Sequence, residues 1–524
     1  MSQTKLVLLL VLILLLIIPP GCRTRSNAFV IALGDNIRTI DPIGSPSVDA
    51  ASERVRTLIF NSLVKKDEKF DYVGELASDI KRSDDGLTYT FTLHDGVKFH
   101  NGQPLTSADA KYTLDLVFSS NFAKSASFYK AGAEKQSYIK SVEAPDPRTV
   151  VVTLIQPWVG LLSNLVAVPI IPRDSYESQK THPLGSGPFK FVRYDNTQQV
   201  CDVEAFPEYW EGAPKLQSVR VRVLSDMNQL QAELQSGRVD IAPMPTSLSP
   251  DAVRRLEGDP NLQVKVFNGS NVNLLTINTA SPPLDNVKVR QAIAYAIDRE
   301  NLIKNLLLGL AKIAHSIIPE ESWAYSPGQT YSYNPARAKQ LLDEAGFRDP
   351  DGDGPRMRFD KPIVYKLSGS SIAGRQYAGV IQNYLKEVGI PVEIQTPEQN
   401  TLFDELKRGN FQISYSQWVG GNQDPIFYKD LFATSEIPTE SRPSRNRSRY
   451  SNPDLDALLN EAVNTFDRQK ARNLYTRIQD IVSRDVPVFP LWYQSNVVIA
   501  RKNVQNIQVN ASGDWGFVRN LTRN

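Results

Sequence analysis

Within the stretch SQWVGGNQDPIFY, from Ser416 to Tyr428, the chain sets a tryptophan, a glycine pair, an asparagine and an aspartate followed by proline. Residues of these types serve non-covalent capture. Trp418 offers a flat apolar surface, Gly420 and Gly421 allow a ligand to approach the backbone, and Asn422 and Asp424 complete the candidate ligand-facing set. Asp424 has an alternative reading as a turn-capping carboxylate ahead of Pro425.

Signals for bond-making chemistry are absent from the sequence. The four histidines, His94, His100, His182 and His315, lack zincin spacing, and neither a GxxxxGK phosphate loop nor a GxSxG nucleophile turn occurs. Asp35 and Asp41 are carboxylates with no spacing that defines a glycosidase pair. The run DPDGDGPRMRFD sets Asp349, Asp351, Asp353 and Asp360 near calcium-loop spacing, with Gly354 at the turn. A strand, KPIVYKL, follows where a second helix is required, so no metal or other cofactor is assigned. A formal net charge of +2 without a long basic run gives no case for nucleic acid.

The chain of 524 residues, 41% hydrophobic and 22% charged, is too long for a single core and implies two or three domains. Its first residues stand apart. MSQTK supplies a lysine, Leu6 to Ile18 is an apolar run of thirteen, and PPGC follows, the layout of a secretory signal peptide over 1–21. Cys22, directly after a small residue, resembles a lipoprotein cleavage site and becomes the lipid-bearing residue that ties the protein to a membrane surface. Pro19 departs from that pattern, and simple secretion is the alternative. The other cysteine, Cys201 in QQVCDVEAF, reads as a small apolar residue on the inner face of a strand.

Several elements are legible beyond these sites. DDGLTYTFTLHDGVKFHNG predicts a hairpin meander with Tyr89, Phe91 and Leu93 on one face and Val97 and Phe99 on a following strand. Thr106 and Asp109 form a capping-box pattern ahead of a helix burying Ala110, Leu114, Val117 and Phe118. Gly237 ends one helix and VDIA follows it as a strand. NVNLLTINT predicts a strand, and the next helix is capped at Asp285 with Val289, Ile293, Ala296 and Ile297 inward. Asn334, Pro335 and Gly346 cap, open and stop another helix. Strands alternating with helices imply an α/β protein.

The segments GELASDIKRSDDGLTYTFTLHDGVKFHNGQPLTSADA, HPLGSGPFKFVRYD, PEYWEGAPKLQSVRVRV, LQSGRVDIA, LLTINTASPPLDNVKVRQAIAYAIDRENLI and NPARAKQLLDEAGF carry a resemblance. Together they resemble the family-5 extracellular solute-binding proteins of peptide and nickel ABC importers, in order along nearly the whole mature chain. The resemblance implies a two-lobed periplasmic-binding-protein fold with an extra domain on the first lobe and mixed sheets flanked by helices. Lobe I takes residues 22–45, 170–270 and 483–524, the extra domain 46–169, and the second lobe 271–482. A monomer would enclose an oligopeptide or similar polar solute between its lobes and deliver it to a membrane permease. A sugar, metal chelate or conjugate is the alternative cargo, and a transporter-independent regulatory or chaperone-like binder the alternative role.

Most of the shared motifs read as packing: AIAYAIDRE as a core helix, and PEYW, with Trp210, as lobe packing. In peptide-binding members a segment of the form W-x-G-D-x-x-D-P carries an aspartate that pairs with the peptide's α-ammonium group. Here Gly421 occupies that aspartate's place, while Trp418, Gly420, Asn422, Asp424 and Pro425 keep the pattern. Arg375 stands where some relatives place a basic group near the ligand carboxylate; a surface arginine is the other reading. Arg442, Arg445, Arg447 and Arg449 read as a solvated loop, with an anion clamp as the alternative.

Overall fold

The computed structural model describes residues 28–45, 49–130, 136–349, 356, 359, 361–418, 424–440 and 444–524. Three sheets organise them. Seven strands form the first, in the order Leu262–Phe267, Asn496–Arg501, Ile241–Pro243, Phe29–Leu33, Ser218–Val223, Val200–Ala205 and Phe189–Asp195. Its central strand, FVIAL, is almost wholly apolar because helices cover both faces. Phe29, Ile31 and Leu33 face one core, and Ala32 faces the other. Six strands form the second sheet: Ala311–Ile313, Val488–Gln494, Val272–Ile277, Ile413–Trp418, Ile363–Lys366 and Val392–Gln395. Leu275 and Ile277 face one core of that half, Val272 and Leu274 the other.

The third sheet is antiparallel, in the order Ala77–Arg82, Thr88–Leu93, Thr149–Leu154 and Ile139–Asp146. Tyr89, Phe91 and Leu93 are buried as the alternation predicts, and the DDG turn closes the hairpin. The Thr106–Asp109 capping box is formed, and Ala110, Leu114, Val117 and Phe118 are buried. Residues of this sheet share one continuous core with the seven-stranded sheet. The extra domain therefore moves with the first lobe. The six-stranded half keeps separate cores.

Between the two large sheets the chain crosses twice, from Phe267 to Val272 and from Gln494 to Asn496. The crossings lie side by side. Gln494 N donates to Asn271 O at 2.9 Å, and the Asn496 amide donates to Asn268 O, Asn510 O and Ala511 O at 3.2, 2.9 and 3.1 Å. Gly269 makes this approach possible, since a Cβ there would sit 1.9 Å from Gln494 O. A further tie joins the extra domain to the first lobe. The neutral His100 ring is hydrogen-bonded through both nitrogens, Nε2 to Gly187 O at 3.0 Å and Nδ1 to Gly185 N at 3.3 Å. Burial pulls its pKa from 6.5 down to about 4.

Three expectations change. Asn286, not Asp285, caps the helix Val287–Ala296, its side chain accepting from Lys288 N at 2.9 Å. Val97 and Phe99 are buried but lie on no strand, because Thr149–Leu154 takes the pairing edge of Thr88–Leu93 that they would need. Strand Val488–Gln494 pairs with Val272–Ile277, so the chain leaves the six-stranded sheet at Ser495 rather than at 483. Asn334 and Pro335 open the helix Pro335–Glu344 as predicted, and Gly346 follows it with φ of 88°.

Gly269→Ala is expected to destabilise the protein by about 1–3 kcal/mol in urea unfolding. Gly379→Ala, inside the helix Ile372–Glu387 with no atom within 4 Å of the added Cβ, is expected to stabilise it by about 0.5–1 kcal/mol. His100 stays neutral in the folded state while the unfolded chain takes up a proton near pH 6.5. Its contribution is therefore complete above that pH and declines as pH falls toward about 4. Urea midpoints of His100→Asn, lower overall, should lose this component of the slope.

Candidate ligand-binding cleft

Strand Ile413–Trp418 runs antiparallel to Val272–Ile277, with Trp418 opposite Val272 where the chain enters the sheet from the hinge. This register sets the indole at the sheet end nearest the crossing. Trp418 meets Phe427 edge to face, with ring centroids 5.9 Å apart. The Arg445 guanidinium lies 6.0 Å from the Trp418 ring and 5.7 Å from that of Phe427, and pairs with Asp430 at 3.5 Å. Burial raises the Asp430 carboxyl pKa, and Arg445 partly offsets the rise. The helix Phe427–Phe432 supplies both Phe427 and Asp430.

Asp424 opens the turn into this helix. Its Oδ1 accepts from Ile426 N at 2.8 Å, and its backbone carbonyl accepts from Phe427 N at 3.1 Å. This is the turn-capping geometry anticipated from the aspartate-proline step. Its Oδ2 reaches further and accepts from the Tyr72 hydroxyl of the extra domain. Lys66, on strand Val64–Lys66 paired to Tyr72–Gly74, is also close. Burial pulls its ammonium down to about 8 against the attraction of Asp424, and its Nζ lies 5.5 Å and 5.9 Å from the Phe70 and Tyr72 rings.

The extra domain carries an aromatic pair at the edge of its core. Tyr138 stacks on Trp158 with centroids 4.3 Å apart and planes 8° apart, and Lys130 Nζ lies 6.0 Å from the Tyr138 ring. Burial raises the Tyr138 phenol pKa, and the Asp430 carboxylate adds to the rise. Around Asp424 the two halves bring together charge of both signs, Lys66 from one and Asp424, Asp430 and Arg445 from the other, beside the rings of Tyr72, Trp418 and Phe427.

Trp418 and Asp424 share this site. Gly420, Gly421 and Asn422 lie outside the described residues, as do Cys22, Arg442, Asp351, Asp353, Gly354 and Asp360. Arg375 is exposed, and its guanidinium donates to the Gly369 carbonyl of its own lobe. Arg447 lies over Phe403 at 5.3 Å, and Arg449 donates to Lys407 O at 2.9 Å. Of the arginine-rich loop, Arg445 alone among the described residues reaches Trp418. Lys66 and Tyr72 escape sequence reasoning because nothing local in their strands marks them; only the docking of the lobes brings them to Asp424.

The motifs read as packing are placed in cores. Ala292, Ile293, Ala294, Ala296 and Ile297 are buried, and Arg299 is spent on the carbonyls of Ala314, Tyr331 and Pro490 at 2.5, 2.7 and 2.8 Å. Trp210 packs on His94 at 4.7 Å. Cys201 is buried, its thiol pushed up to about 12, which leaves no reactive thiolate. A groove of about 640 Å³ between Arg254 and the segment Leu308–Ile313 holds none of the expected site residues. Among the described residues no helix is long and apolar enough to cross a membrane.

Trp418→Ala is expected to weaken ligand binding at least tenfold while lowering apo stability little, since the indole is only partly buried at the rim of its core. Calorimetric titration with a bound solute, read beside urea unfolding, checks both. An unchanged affinity with a lost fold would make Trp418 a core residue.

Comparison with known proteins bears on the role of the cleft. Residues 71–439 match the model for bacterial extracellular solute-binding proteins, family 5 Middle. The chain is 30% identical over 473 residues to heme-binding protein A of Haemophilus influenzae, covering 86% of this chain and 83% of that protein. It is 30% identical over 505 residues to the glutathione-binding protein GsiB of Salmonella typhi, covering 93% of each. The solved structure of the oligopeptide-binding protein AppA of Bacillus subtilis, in complex with a nonapeptide, superposes with a TM-score of 0.71 at 26% identity, over 95% of this chain and 99% of that one. The two-lobed architecture and the match over most of the chain agree: the protein belongs to the family-5 extracellular solute-binding proteins, the solute-capturing components of ABC importers, and is not an enzyme.

Proposed function

We propose that this protein captures an oligopeptide or a similar small polar solute between its lobes and presents the closed form to a membrane permease. The observation that carries the reading is the meeting of aromatic and charged side chains from both halves, Trp418, Phe427, Arg445 and Asp430 beside Asp424 on one and Lys66 and Tyr72 on the other, joined where Tyr72 donates to Asp424. Contacts with both lobes exist only when the hinge is closed, so a solute shifts the equilibrium by its differential affinity. Relatives named for glutathione and oligopeptides support a peptide-like cargo. In this reading Trp418, Gly420, Gly421 and Asn422 line the ligand, and Arg375 at the rim is the candidate partner for a ligand carboxylate. Residues 46–169 act as the extra domain, the body is a monomer, and Cys22 carries a lipid that holds it at the outer face of the membrane.

A second reading is a cargo without a free amino terminus: a blocked peptide, a conjugate or a chelate. One observation favours it. Asp424, the remaining carboxylate of the segment, already accepts from Tyr72 and Ile426. A relative named for heme is consistent with such breadth.

Thermal unfolding of the mature protein against peptide pools of graded length, free and N-acetylated, tests the proposal. A ligand at 100 times its Kd adds about 2.7 kcal/mol of stability. A shift with free and acetylated pools alike establishes peptide cargo read without its ammonium group. Gly421→Asp is then expected to restore a preference for free-amine peptides. No shift with any pool overturns the peptide reading.

A further inference from the structure

One segment of the extra domain, residues 66–86, meets the second lobe at a series of points made by the chain's own backbone and side chains. Lys69 O accepts from Trp323 N at 3.1 Å. Asp71 pairs with Arg468, whose guanidinium lies 3.9 Å from the Trp323 ring centroid. Tyr72 donates to Asp424. Arg82 lies 4.1 Å from the centroid of Phe466, and Gly86 leaves room for that ring, since a Cβ there would come within 2.8 Å of it.

We propose that this segment is a latch that holds the two halves closed in the absence of solute, with Asp424 serving as its acceptor rather than as the contact for a ligand's amino group. The double crossing leaves rotation as the motion between the halves, so all of these contacts form and break together. Asp424 is committed through both oxygens, one to its own turn and one to Tyr72. An arriving ammonium would have to displace the phenol and settle beside the Lys66 ammonium, which like-charge repulsion opposes. The Asp71–Arg468 pair is half-exposed and weak by itself. Its guanidinium gains from lying against Trp323, which the Lys69 carbonyl in turn fixes.

The latch is independent of which solute the cleft takes, so its test needs none. The mature protein is stripped of co-purified solute by unfolding and refolding, and its small-angle X-ray scattering is compared with that of the Tyr72→Phe/Arg468→Gln variant. The wild type is expected to scatter as the closed form. The variant is expected to show a larger radius of gyration, with the closed-to-open ratio lowered by about tenfold or more. Asp424→Ala removes the acceptor of the Tyr72 hydroxyl and should also expand the solute-free protein; a residue serving only a ligand would leave that scattering unchanged. Should the double variant fail to refold, Tyr72→Phe alone decides, since it keeps the ring and removes the hydroxyl. Solute-free wild type that scatters as an open molecule, or variants that scatter like wild type, would overturn the proposal.

Discussion

The hydrogen-bonded pair of crossings is the constraint on which the rest depends. Two extended segments pass between the large sheets side by side, held by the Asn496 amide and by the backbone approach that Gly269 permits. They fix the halves in position and leave rotation free. The continuous core joining the four- and seven-stranded sheets makes the extra domain part of one moving body. The Tyr72–Asp424 and Asp71–Arg468 contacts are therefore between two bodies, and their free energy bears directly on closure.

That constraint explains the electrostatics of the cleft. Charged groups there lose water when the halves meet, and each needs a partner that arrives with the other body or lies beside it. Asp430 has Arg445 beside it, and Asp424 has Tyr72 opposite. Lys66 shows the cost of closure, its ammonium drawn down to about 8 even with Asp424 near.

The segments that carry the family likeness mostly serve packing. Arg299 satisfies three carbonyls, Asn334 caps a helix, and the glycines of HPLGSGPF let that loop press on Ile59 and bond to His100. These demands are the same for any cargo, because they build the halves and not the cleft. Membership in the family therefore follows from most of the chain, whereas cargo rests on a few side chains.

Much of the fold was legible because local rules and burial coincide. Alternation in TYTFTL, the Thr106–Asp109 capping box and the Asn334–Pro335 opening each specify an element from neighbouring residues alone. Where local rules offered two choices, packing decided. Asn286 rather than Asp285 became the cap, and Val97 and Phe99 were buried without strand pairing. Trp418 and Asp424 were visible as a tryptophan and a turn aspartate beside a glycine pair. Tyr72, however, lies 352 residues from Asp424, and only docking of the halves joins them. The sequence alone determined the class of protein, the strand faces and the caps at Thr106 and Asn334, since these depend on residues close in the chain. Tertiary structure alone decided which charges meet across the cleft, since that depends on two separately folded bodies brought together by a hinge.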